Sequence, residues 1–410
     1  MNNLKILIAP VHYKIDRAEG SEYARAHDYL MYLSKRADVS GDALVYYSEL
    51  KNIGGIKIHS LTVNNPKYIS SFIRIKFILW IFIKSTMLIV KNNYDIIWHN
   101  GPFAIGETFS LVSIFNFRNI PFILGPIVTP HVYVGGDEYR SMGSKISSDS
   151  LVLKLLKTID SKIYIVASIF RRLSDLTLSR SALVLMKENE GKKLICHIKN
   201  IKTKVLNLGL NINITQNNKK YKRNKTIRVL SVSYFVRRKN ITDLISAMDY
   251  IVNKLKLVSY RLYLVGDGPD MSNIVHQVSE KKLKKYVKFL GFVKKENVFK
   301  HYIKSDIFVS TSLSDSMPAM YFEAMSAGLP IVMYSNPSSK ELVGKGAKIY
   351  QARSGNYEEI VNAIISITKN DKMFKFGKIN QVVYSTKFSF EVNMNKFIKI
   401  LKNFKNTYEN

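Results

Sequence analysis

Residues 307–333 read IFVSTSLSDSMPAMYFEAMSAGLPIVM, and this stretch predicts a strand, a loop, a helix and a second strand in succession. Residues 307–310 have the length and apolar character of a short buried strand. Pro318 suits the first turn of a helix because its missing N–H has no acceptor there, and Gly328 is typical of the residue just past a helix end. The order predicts one unit of a parallel sheet, whose loop presents free N–H groups to an anion.

Two carboxylates lie in this unit, Asp315 in the loop and Glu323 eight positions later in the helix. The residues around them are Ser312, Pro318, Ala324, Met325, Ala327, Gly328 and Pro330. Together they resemble the nucleotide-sugar signature of family 4 glycosyltransferases, which has two glutamates followed by Ala-Met and Gly-x-Pro. Asp315 stands at the first glutamate position, which keeps the charge and shortens the side chain by one methylene. The alternative is that Glu323 only caps or salt-bridges its helix.

The resemblance implies a role for each residue of this signature. Glu323 is expected to accept hydrogen bonds from the ribose hydroxyls of the donor, and Asp315 to hold hydroxyls of the donor sugar. The donor phosphates and sugar are expected to be lined by the N–H groups of Met317, Ala319 and Met320, beside Pro318.

The resemblance also implies an α/β chain of the GT-B class, with two doubly wound Rossmann-like domains facing across a cleft. Residues 1–210 are expected to form the acceptor-binding domain and residues 226–385 the nucleotide-sugar-binding domain. Residues 211–225 are predicted to be a linker, because they are charged and have no periodic apolar pattern. A final helix within 386–410 is expected to cross back onto the first domain.

A second candidate motif is the run Arg237, Arg238, Lys239 before the predicted helix 241–255. Three cations beside the free N–H groups of a helix start suit a pyrophosphate. The resembled family has an Arg and a Lys five residues apart here; Lys239 matches the Lys, whereas Tyr234 stands at the Arg position. A solvated basic turn is the alternative for the two arginines. The resemblance implies that Lys239 stabilises a diphosphate leaving group without a metal or a cofactor.

Other donor-binding candidates follow from the same resemblance. They are Gly266 and Gly268 in a Gly-x-Gly-Pro turn, Phe292 and Val293 near the nucleotide base, and Gly20 and Ser21, the remnant of a Gly-rich turn. An ordinary strand-to-helix turn is the alternative for the last two.

His99 is the remaining catalytic candidate. It follows the predicted strand 94–98, and ligands of open parallel sheets bind at the carboxyl ends of strands. A structural hydrogen-bonding role is equally compatible with a lone histidine. The strand 121–124 is followed by Gly125-Pro126 instead of the histidine that many members of the family have there.

The net charge of the chain is +31, from 62 Lys and Arg against 31 Asp and Glu. Such an excess suits phosphate-bearing partners such as nucleotides, anionic lipids or nucleic acid, although biased coding composition gives the same excess. No zinc-finger spacing and no aromatic-basic RNA signature is present, which argues against nucleic acid. The lone cysteine, Cys196, excludes a disulfide framework and predicts a cytoplasmic location.

The most apolar region, residues 68–90, predicts a helix at a membrane interface. Its uninterrupted apolar run, 77–83, is shorter than the roughly twenty residues that a membrane span needs. Basic residues stand beside the aromatic residues Phe72, Phe77, Trp80 and Phe82, which favours peripheral contact with the inner face of the cell membrane. A helix buried against the sheet is the alternative. Residues 149–179 are predicted to be a second basic, membrane-facing helical element.

The resemblance therefore implies a retaining glycosyltransferase that moves a sugar from a nucleotide-diphosphate donor to a saccharide or lipid-linked saccharide, and synthesis of a bacterial surface polysaccharide such as capsule or O-antigen is the expected setting. The resembled family is a retaining one and no covalent nucleophile is evident here, so the resemblance, and not the spacing of residues, implies attack on the face of departure. A nucleotide-sugar 2-epimerase, a non-catalytic glycosyltransferase-like subunit and a basic nucleic-acid binder remain alternatives. The subunit alternative is motivated by Asp315, Tyr234 and the histidine that is absent after Leu124.

Overall fold

The computed structural model describes residues 3–15, 21–66, 70–101, 103, 105, 108–127, 168–209, 211–212, 226–369 and 372–409. Its contacts divide the chain into two compact units. One unit comprises Met1–Leu208 with Met394–Asn410, and the other comprises Gly209–Asn393. Most of the predicted linker, residues 213–225, lies outside the described residues.

The described part of the first unit contains one sheet of nine strands. These are β1 (Leu4–Ile8), β2 (Lys14–Ile15), β3 (Val39–Ser48), β4 (Asn52–Ile53), β5 (Ile56–Thr62), β6 (Ile96–His99), β7 (Phe122–Ile127), β8 (Leu183–Met186) and β9 (Thr203–Val205). Their order is β4-β5-β3-β1-β6-β7-β8-β9, with β2 paired to β3. The described pairings are parallel except β4 with β5. The central strands are buried on both faces, which explains their nearly continuous apolar sequences.

Helices cover both faces of this sheet. They are α1 (Ser21–Ser34), α2 (Ser71–Lys91), α3 (Leu111–Ile114), α4 (helical over the described residues 168–179) and, at the carboxyl end of the chain, α12 (Phe390–Glu409). Phe77 and Ile81 of α2 share a core with Leu7 and Ile97 of the sheet. On the other face, Trp98 contacts the ring of Phe397 in α12, with 4.6 Å between centroids. Strand residues therefore alternate between two helical layers.

The second unit is built around six parallel strands. They are β10 (Ile227–Val232), β11 (Tyr260–Val265), β12 (Val287–Phe289), β13 (Ile307–Ser310), β14 (Ile331–Tyr334) and β15 (Ile349–Ala352), in the order β12-β11-β10-β13-β14-β15. The helices are α5 (Ile241–Asp249), α6 (Met271–Glu280), α7 (Lys295–Ile303), α8 (Ala319–Ser326), α9 (Pro337–Gly344), α10 (Tyr357–Lys369) and α11 (Lys372–Val383).

Alternate strand residues of this second sheet enter two separate cores. Ile307 and Val309 pack in the core that contains helices α5, α6 and α10. Phe308, between them, packs in the opposite core with α8. The unit is thus doubly wound, as predicted. The predicted helix 241–255 ends differently, because it continues past Asp249 as a wider π-helical turn, Tyr250–Lys254, in which the Leu255 N–H donates to the Tyr250 carbonyl over 2.9 Å.

Because the strands are parallel, the loops after β10, β11, β12 and β13 lie at one edge of the second sheet. Backbone hydrogen bonds join these loops: Ser233 N–H donates to Val265, Gly266 N–H to Gly291, and Leu313 N–H to Arg238. This edge, which we call the carboxyl edge, gathers most of the candidate residues of the second unit.

Candidate functional site

A buried ion pair joins two of the candidate motifs. The Nζ of Lys239, in the loop after β10, lies 2.5 Å from Oδ1 of Asp315, in the loop after β13. The two side chains are 7% and 3% exposed. Lys239 and Asp315 are 76 positions apart in the sequence, so the adjacency of β10 and β13 brings them together.

Two further side chains complete this cluster. Nη1 of Arg238 donates to the same Asp315 Oδ1 over 3.1 Å and to the Ser314 carbonyl over 3.1 Å. Tyr321 lies in the first turn of α8, and its hydroxyl donates to Asp315 Oδ2 over 3.0 Å. Both carboxylate oxygens of Asp315 therefore accept hydrogen bonds inside the protein. The prediction that Asp315 holds sugar hydroxyls overlooked these partners, because Arg238 and Tyr321 approach it only through the fold.

Burial and charge act on the pKa values of this cluster in opposite directions. At Asp315, burial raises the pKa, but the neighbouring charges of Lys239 and Arg238 outweigh it, so the net pKa is lowered. At Lys239, burial is the largest influence and the charge of Arg238 adds to it, so its pKa is lowered despite the attraction of Asp315. Asp315 is accordingly the fixed anion of the cluster. The second cation, Arg238, keeps the local charge positive.

The loop from Asp315 to Pro318 is held by α9. The Met317 N–H donates to Ser338 Oγ over 2.7 Å, and Ser338 Oγ donates to the Asp315 carbonyl over 2.7 Å. Met317 has a φ of 46°, an unusual left-handed conformation for a residue other than glycine. Ser338 already accepts from the Met317 N–H, and the predicted place of this group in the lining of the donor stays a prediction. The capping sequence Asn336-Pro337-Ser338-Ser339 was the missed signal for this helix.

The start of α8 presents backbone donors beside this loop. Helix α8 begins at Ala319, and Pro318 precedes it as the N-cap without a side-chain hydrogen bond. The N–H groups of Ala319 and Met320 belong to the first turn, where an α-helix has no internal acceptors. The predicted contact of these two N–H groups with the donor stays a prediction.

Glu323 lies further along α8 and has a different partner from Asp315. The hydroxyl of Tyr302, at the end of α7, donates to Glu323 Oε2 over 2.8 Å. Burial and the charge of Glu323 raise the pKa of Tyr302 well above its ordinary value, so Tyr302 stays a donor. Lys239 pairs with Asp315 instead, and the predicted contact of Glu323 with the ribose hydroxyls stays a prediction.

The Gly-x-Gly-Pro turn has a packing function of its own. A Cβ at Gly266 would lie 1.8 Å from the Ser233 carbonyl oxygen, and one at Gly268 would lie 2.3 Å from that of Phe235. Both glycines allow the turn to lie against the loop after β10, where the Phe235 N–H donates to the Asp267 carbonyl over 2.9 Å. Their predicted contact with the donor stays a prediction.

Exposed side chains surround these loops. Phe292 is 77% exposed and Tyr234 is 56% exposed, although both are large and aromatic. Arg237 is also exposed, whereas Val293 packs partly against the core that contains α8. Sequence reasoning placed Phe292 near the base and treated Tyr234 only as a departure from the family pattern.

The candidates in the first unit fare differently. His99 is the last residue of β6, not part of the loop after it, and is 4% exposed. Its ring makes edge-to-face contacts with Phe103 and Phe122, at centroid distances of 5.8 and 6.1 Å. The predicted loop position was wrong because the apolar strand continues one residue further. Gly20 lies outside the described residues, and Ser21 is the first residue of α1.

The apolar helix α2 differs from its prediction in which face is exposed. Phe77 is buried, and Trp80 and Phe82 are half-buried. Four of the exposed apolar residues, Ile75, Leu79, Ile83 and Met87, recur every four positions and are 48–58% exposed, and Val90 near the helix end is 58% exposed. We call these four residues the α2 stripe. Within the part of the chain that the structure describes, no helix has the length and apolarity needed to cross a bilayer.

Metal-binding side chains are not grouped in the described residues: no three His, Cys, Asp or Glu side chains lie where they could hold a metal ion. The expectation of chemistry without a metal or cofactor stays a prediction.

Comparison with known proteins gives the context for this geometry. Residues 213–379 match the family model described as "Glycosyl transferases group 1". The chain is 29% identical over 153 residues to the alpha-monoglucosyldiacylglycerol synthase of Acholeplasma laidlawii, and the match covers 37% of each chain. The chain thus spans little more than a third of the length of this relative.

Solved structures resemble nearly the whole chain. The sucrose-phosphate synthase of Thermosynechococcus elongatus has a TM-score of 0.67 at 16% identity, covering 98% of both chains. Anabaena Alr3699/HepE, in complex with UDP, has a TM-score of 0.65 at 15% identity and covers 98% of this chain and 100% of its own. Residues 213–379 thus match the group 1 glycosyltransferases, and the chain as a whole has the GT-B fold of these solved structures.

Proposed function

We propose that this protein is a retaining glycosyltransferase that moves a sugar from a nucleoside-diphosphate donor to a saccharide or lipid-linked saccharide of a bacterial surface polymer. The observation that carries the proposal is the buried Lys239–Asp315 pair with Arg238 at its side. Removing two charges from water costs free energy that their pairing often does not recover, so a buried pair favours a functional role over a stabilising one. This cluster lies at the carboxyl edge beside the first turn of α8, where ligands of parallel sheets bind.

Departure of a diphosphate is the step that this arrangement suits. Negative charge grows on the leaving phosphate oxygens as the glycosidic bond lengthens, and preorganised cations and N–H groups stabilise that charge without reorganisation. Lys239 and Arg238 supply the cations in this proposal, and Ala319 and Met320 supply the N–H groups. Asp315 is a positioning residue, because its carboxylate holds both cations in place.

The nucleoside is assigned to the two flanks of the same edge. The hydrogen bond from Tyr302 fixes the carboxylate of Glu323, which we assign to the ribose hydroxyls. The exposed ring of Phe292 is assigned to the nucleobase, since stacking a base on it removes apolar surface from water. A uridine nucleotide is the first donor to test, because the Anabaena neighbour holds UDP.

The acceptor side of the proposal rests on the α2 stripe. Arg74, Lys76 and Lys91 are exposed on the same helix, so an apolar row is flanked by positive charge. That combination suits the surface of a membrane with anionic lipids, where apolar residues enter the interface and cations meet the headgroups. The Acholeplasma relative is named for a diacylglycerol glycolipid, which supports a lipid-linked acceptor.

The deciding experiment uses purified full-length protein and a panel of nucleotide sugars. A donor that binds only the folded chain raises its melting temperature, and turnover with lipid extracts releases the nucleoside diphosphate. We expect Lys239→Ala to lower turnover about a hundredfold or more, as expected for loss of one preorganised charge. The exposed Lys375→Ala, in the same unit, serves as the control for removing a positive charge.

The alternatives give different outcomes in this assay. Release of a free sugar isomer without any acceptor would indicate a 2-epimerase. Binding of a nucleotide sugar without turnover under any acceptor condition would indicate a non-catalytic subunit. Turnover unaffected by Lys239→Ala would remove the basis of the proposal.

A further inference from the structure

A basic cavity opens at the opposite edge of the second sheet from Lys239. It has a volume of about 610 Å³, and its nine lining residues include Arg228, Arg261, Lys284, Lys285 and Lys288. Arg228, Arg261 and Lys288 are the second residues of β10, β11 and β12, respectively, so they lie where these strands begin. A strand of six residues spans about 20 Å, so this cavity and the carboxyl edge are separated by the length of the sheet.

Five of the nine lining residues are cations and none is an acid. Within the described chain, none of the five charged side chains forms an ion pair, and the nearby Asp306 carboxylate accepts instead from the backbone N–H of Arg228 over 2.8 Å. Such a concentration of like charges is unfavourable in the empty protein, and a soluble fold ordinarily intersperses acids among them. This uncompensated positive charge therefore favours binding of an anion that the chain itself does not supply.

Two arginines of the cavity are held by aromatic rings instead of acids. The guanidinium carbon of Arg228 lies 3.9 Å from the centroid of Tyr263, and that of Arg261 lies 4.7 Å from Tyr286. Arg228 also donates to the Tyr263 hydroxyl over 3.0 Å, and its buried Nε has no hydrogen-bond partner among the described residues. Stacking fixes each guanidinium without neutralising it, which leaves its charge and remaining N–H groups for a ligand.

A neighbouring histidine responds to the same field. Burial lowers the pKa of His301, in α7, and the charges of Lys304 and Arg228 lower it further. The positive potential at this edge thus extends beyond the residues that line the cavity.

We propose that this cavity is a second anion-binding site, distinct from the donor site, for a ligand that carries two or more phosphate groups. Guanidinium and ammonium groups match phosphate oxygens by charge-assisted hydrogen bonds, and the volume exceeds that of a single phosphate. The ligand is either a soluble polyphosphate or a row of phosphate headgroups at a membrane surface. The two sources share this chemistry, and the two arms of the experiment distinguish them.

The first arm is calorimetric titration of the full chain with inorganic pyrophosphate. We expect two sites: one weakened about tenfold or more by Lys284→Glu/Lys285→Glu, the other lost in Lys239→Ala. The exposed pair Lys375→Glu/Lys378→Glu makes the same change of charge in the same unit and should leave both sites intact. An unchanged pyrophosphate titration in Lys239→Ala would contradict the proposed function. The second site is judged separately, by the variant of Lys284 and Lys285.

The second arm measures co-sedimentation with phosphatidylglycerol vesicles, using phosphatidylcholine vesicles as the reference. A loss of vesicle binding in Lys284→Glu/Lys285→Glu, without a change in pyrophosphate binding, assigns the cavity to headgroups. A loss of pyrophosphate binding alone assigns it to a soluble ligand, and loss of both supports the shared chemistry. If the cavity variant equals the control variant in both arms, the proposal is wrong.

Discussion

Charged side chains are usually exposed and apolar ones buried, and the carboxyl edge of the second unit and the α2 stripe of the first depart from this rule in opposite ways. At the carboxyl edge, Lys239 and Asp315 are almost completely buried although they are charged. On α2, four large apolar side chains are about half exposed. The buried charges are satisfied by each other and by Arg238 and Tyr321, whereas no described residue covers the stripe sufficiently to bury it.

The difference indicates what each region needs from outside. A satisfied charge cluster is complete in the free protein and gains a ligand through its net positive charge. An apolar row is incomplete in water, and a surface that covers it gains the free energy of apolar burial. Internal pairing is thus the property to disrupt at the carboxyl edge, and apolar exposure is the property to disrupt on α2.

Removing Asp315 should have the largest effect on stability. Asp315→Ala leaves Lys239 buried without its anion, and breaking a buried pair in this way costs about 3–5 kcal/mol in the free energy of unfolding. Urea denaturation monitored by far-ultraviolet circular dichroism measures the change, with Glu358→Gln, at an exposed position, as the control. The double variant Asp315→Ala/Lys239→Ala should recover part of the loss; strictly additive costs would mean that the two side chains are not coupled.

The α2 stripe should be next in magnitude. Leu79→Glu/Ile83→Glu removes two apolar side chains worth about 1.5 kcal/mol each when fully buried, so anionic vesicle binding should weaken about a hundredfold. Val63→Glu, an exposed apolar residue of the same unit outside the stripe, is the matched control. Equal vesicle binding by the stripe variant and Val63→Glu would exclude α2 as the contact surface.

Glu323 offers a smaller test of the carboxyl edge. Glu323→Ala removes a carboxylate whose charge-assisted hydrogen bond contributes about 1.5–3 kcal/mol, so the affinity for the donor nucleotide should fall about tenfold to a hundredfold. Glu323→Gln keeps the shape and the acceptor for Tyr302 and should lose less. Nucleotide affinity that stays constant in both variants would assign Glu323 a purely structural role.

The smallest effect concerns a buried acid in the first unit. Asp42 accepts hydrogen bonds from Tyr94 over 2.6 Å and from His59 over the same distance. Burial raises its pKa, but these partners outweigh burial and the net pKa is lowered. A lowered folded pKa stabilises the protein above the unfolded pKa, and this contribution is lost as the pH falls through the folded value.

Tyr94→Phe should therefore destabilise the protein by about 1.5 kcal/mol near neutral pH, the low end for a hydrogen bond to a carboxylate, because Asp42 keeps its second partner His59. The difference from the parent chain should shrink below about pH 4, where Asp42 in the unfolded chain is protonated. Denaturation at pH 7 and at acid pH measures both values. A difference in stability that is independent of pH would mean that the Tyr94 hydrogen bond does not lower the pKa of Asp42 in the folded protein.

Local patterns predicted the elements more reliably than the contacts. The strand 307–310 was predicted at the bounds it has, because four apolar residues precede a clear loop. Strands β3 and β5 and helices α6, α9 and α11 were not predicted. Strand β3 contains Gly41, and its glycine and polar residues obscure an alternation that the fold buries; a Cβ at Gly41 would lie 1.8 Å from the Ile6 carbonyl oxygen of the adjacent strand.

The site was predictable only as two separate motifs. Lys239 and Asp315 were each identified from their local sequence, but their pairing depends on the order of the strands. Tyr302, Tyr321 and Ser338 were missed because a tyrosine or serine in a helix gives no local sign of a distant acceptor. The basic cavity was missed for the same reason, since its cations come from three separate strands and the segment before β12.

The last helix has a consequence for how the protein is made. The residues of α12 from Met394 onward group with the first unit, where Phe397 lies on Trp98 and Lys402 donates to Asp38 over 2.7 Å. A ribosome synthesises the amino-terminal sheet first, yet the segment that closes its core emerges nearly three hundred residues after Trp98. The nascent first unit thus lacks the Phe397 contact on Trp98 throughout translation of the second, and apolar surface that is exposed in this way during synthesis is what chaperones recognise.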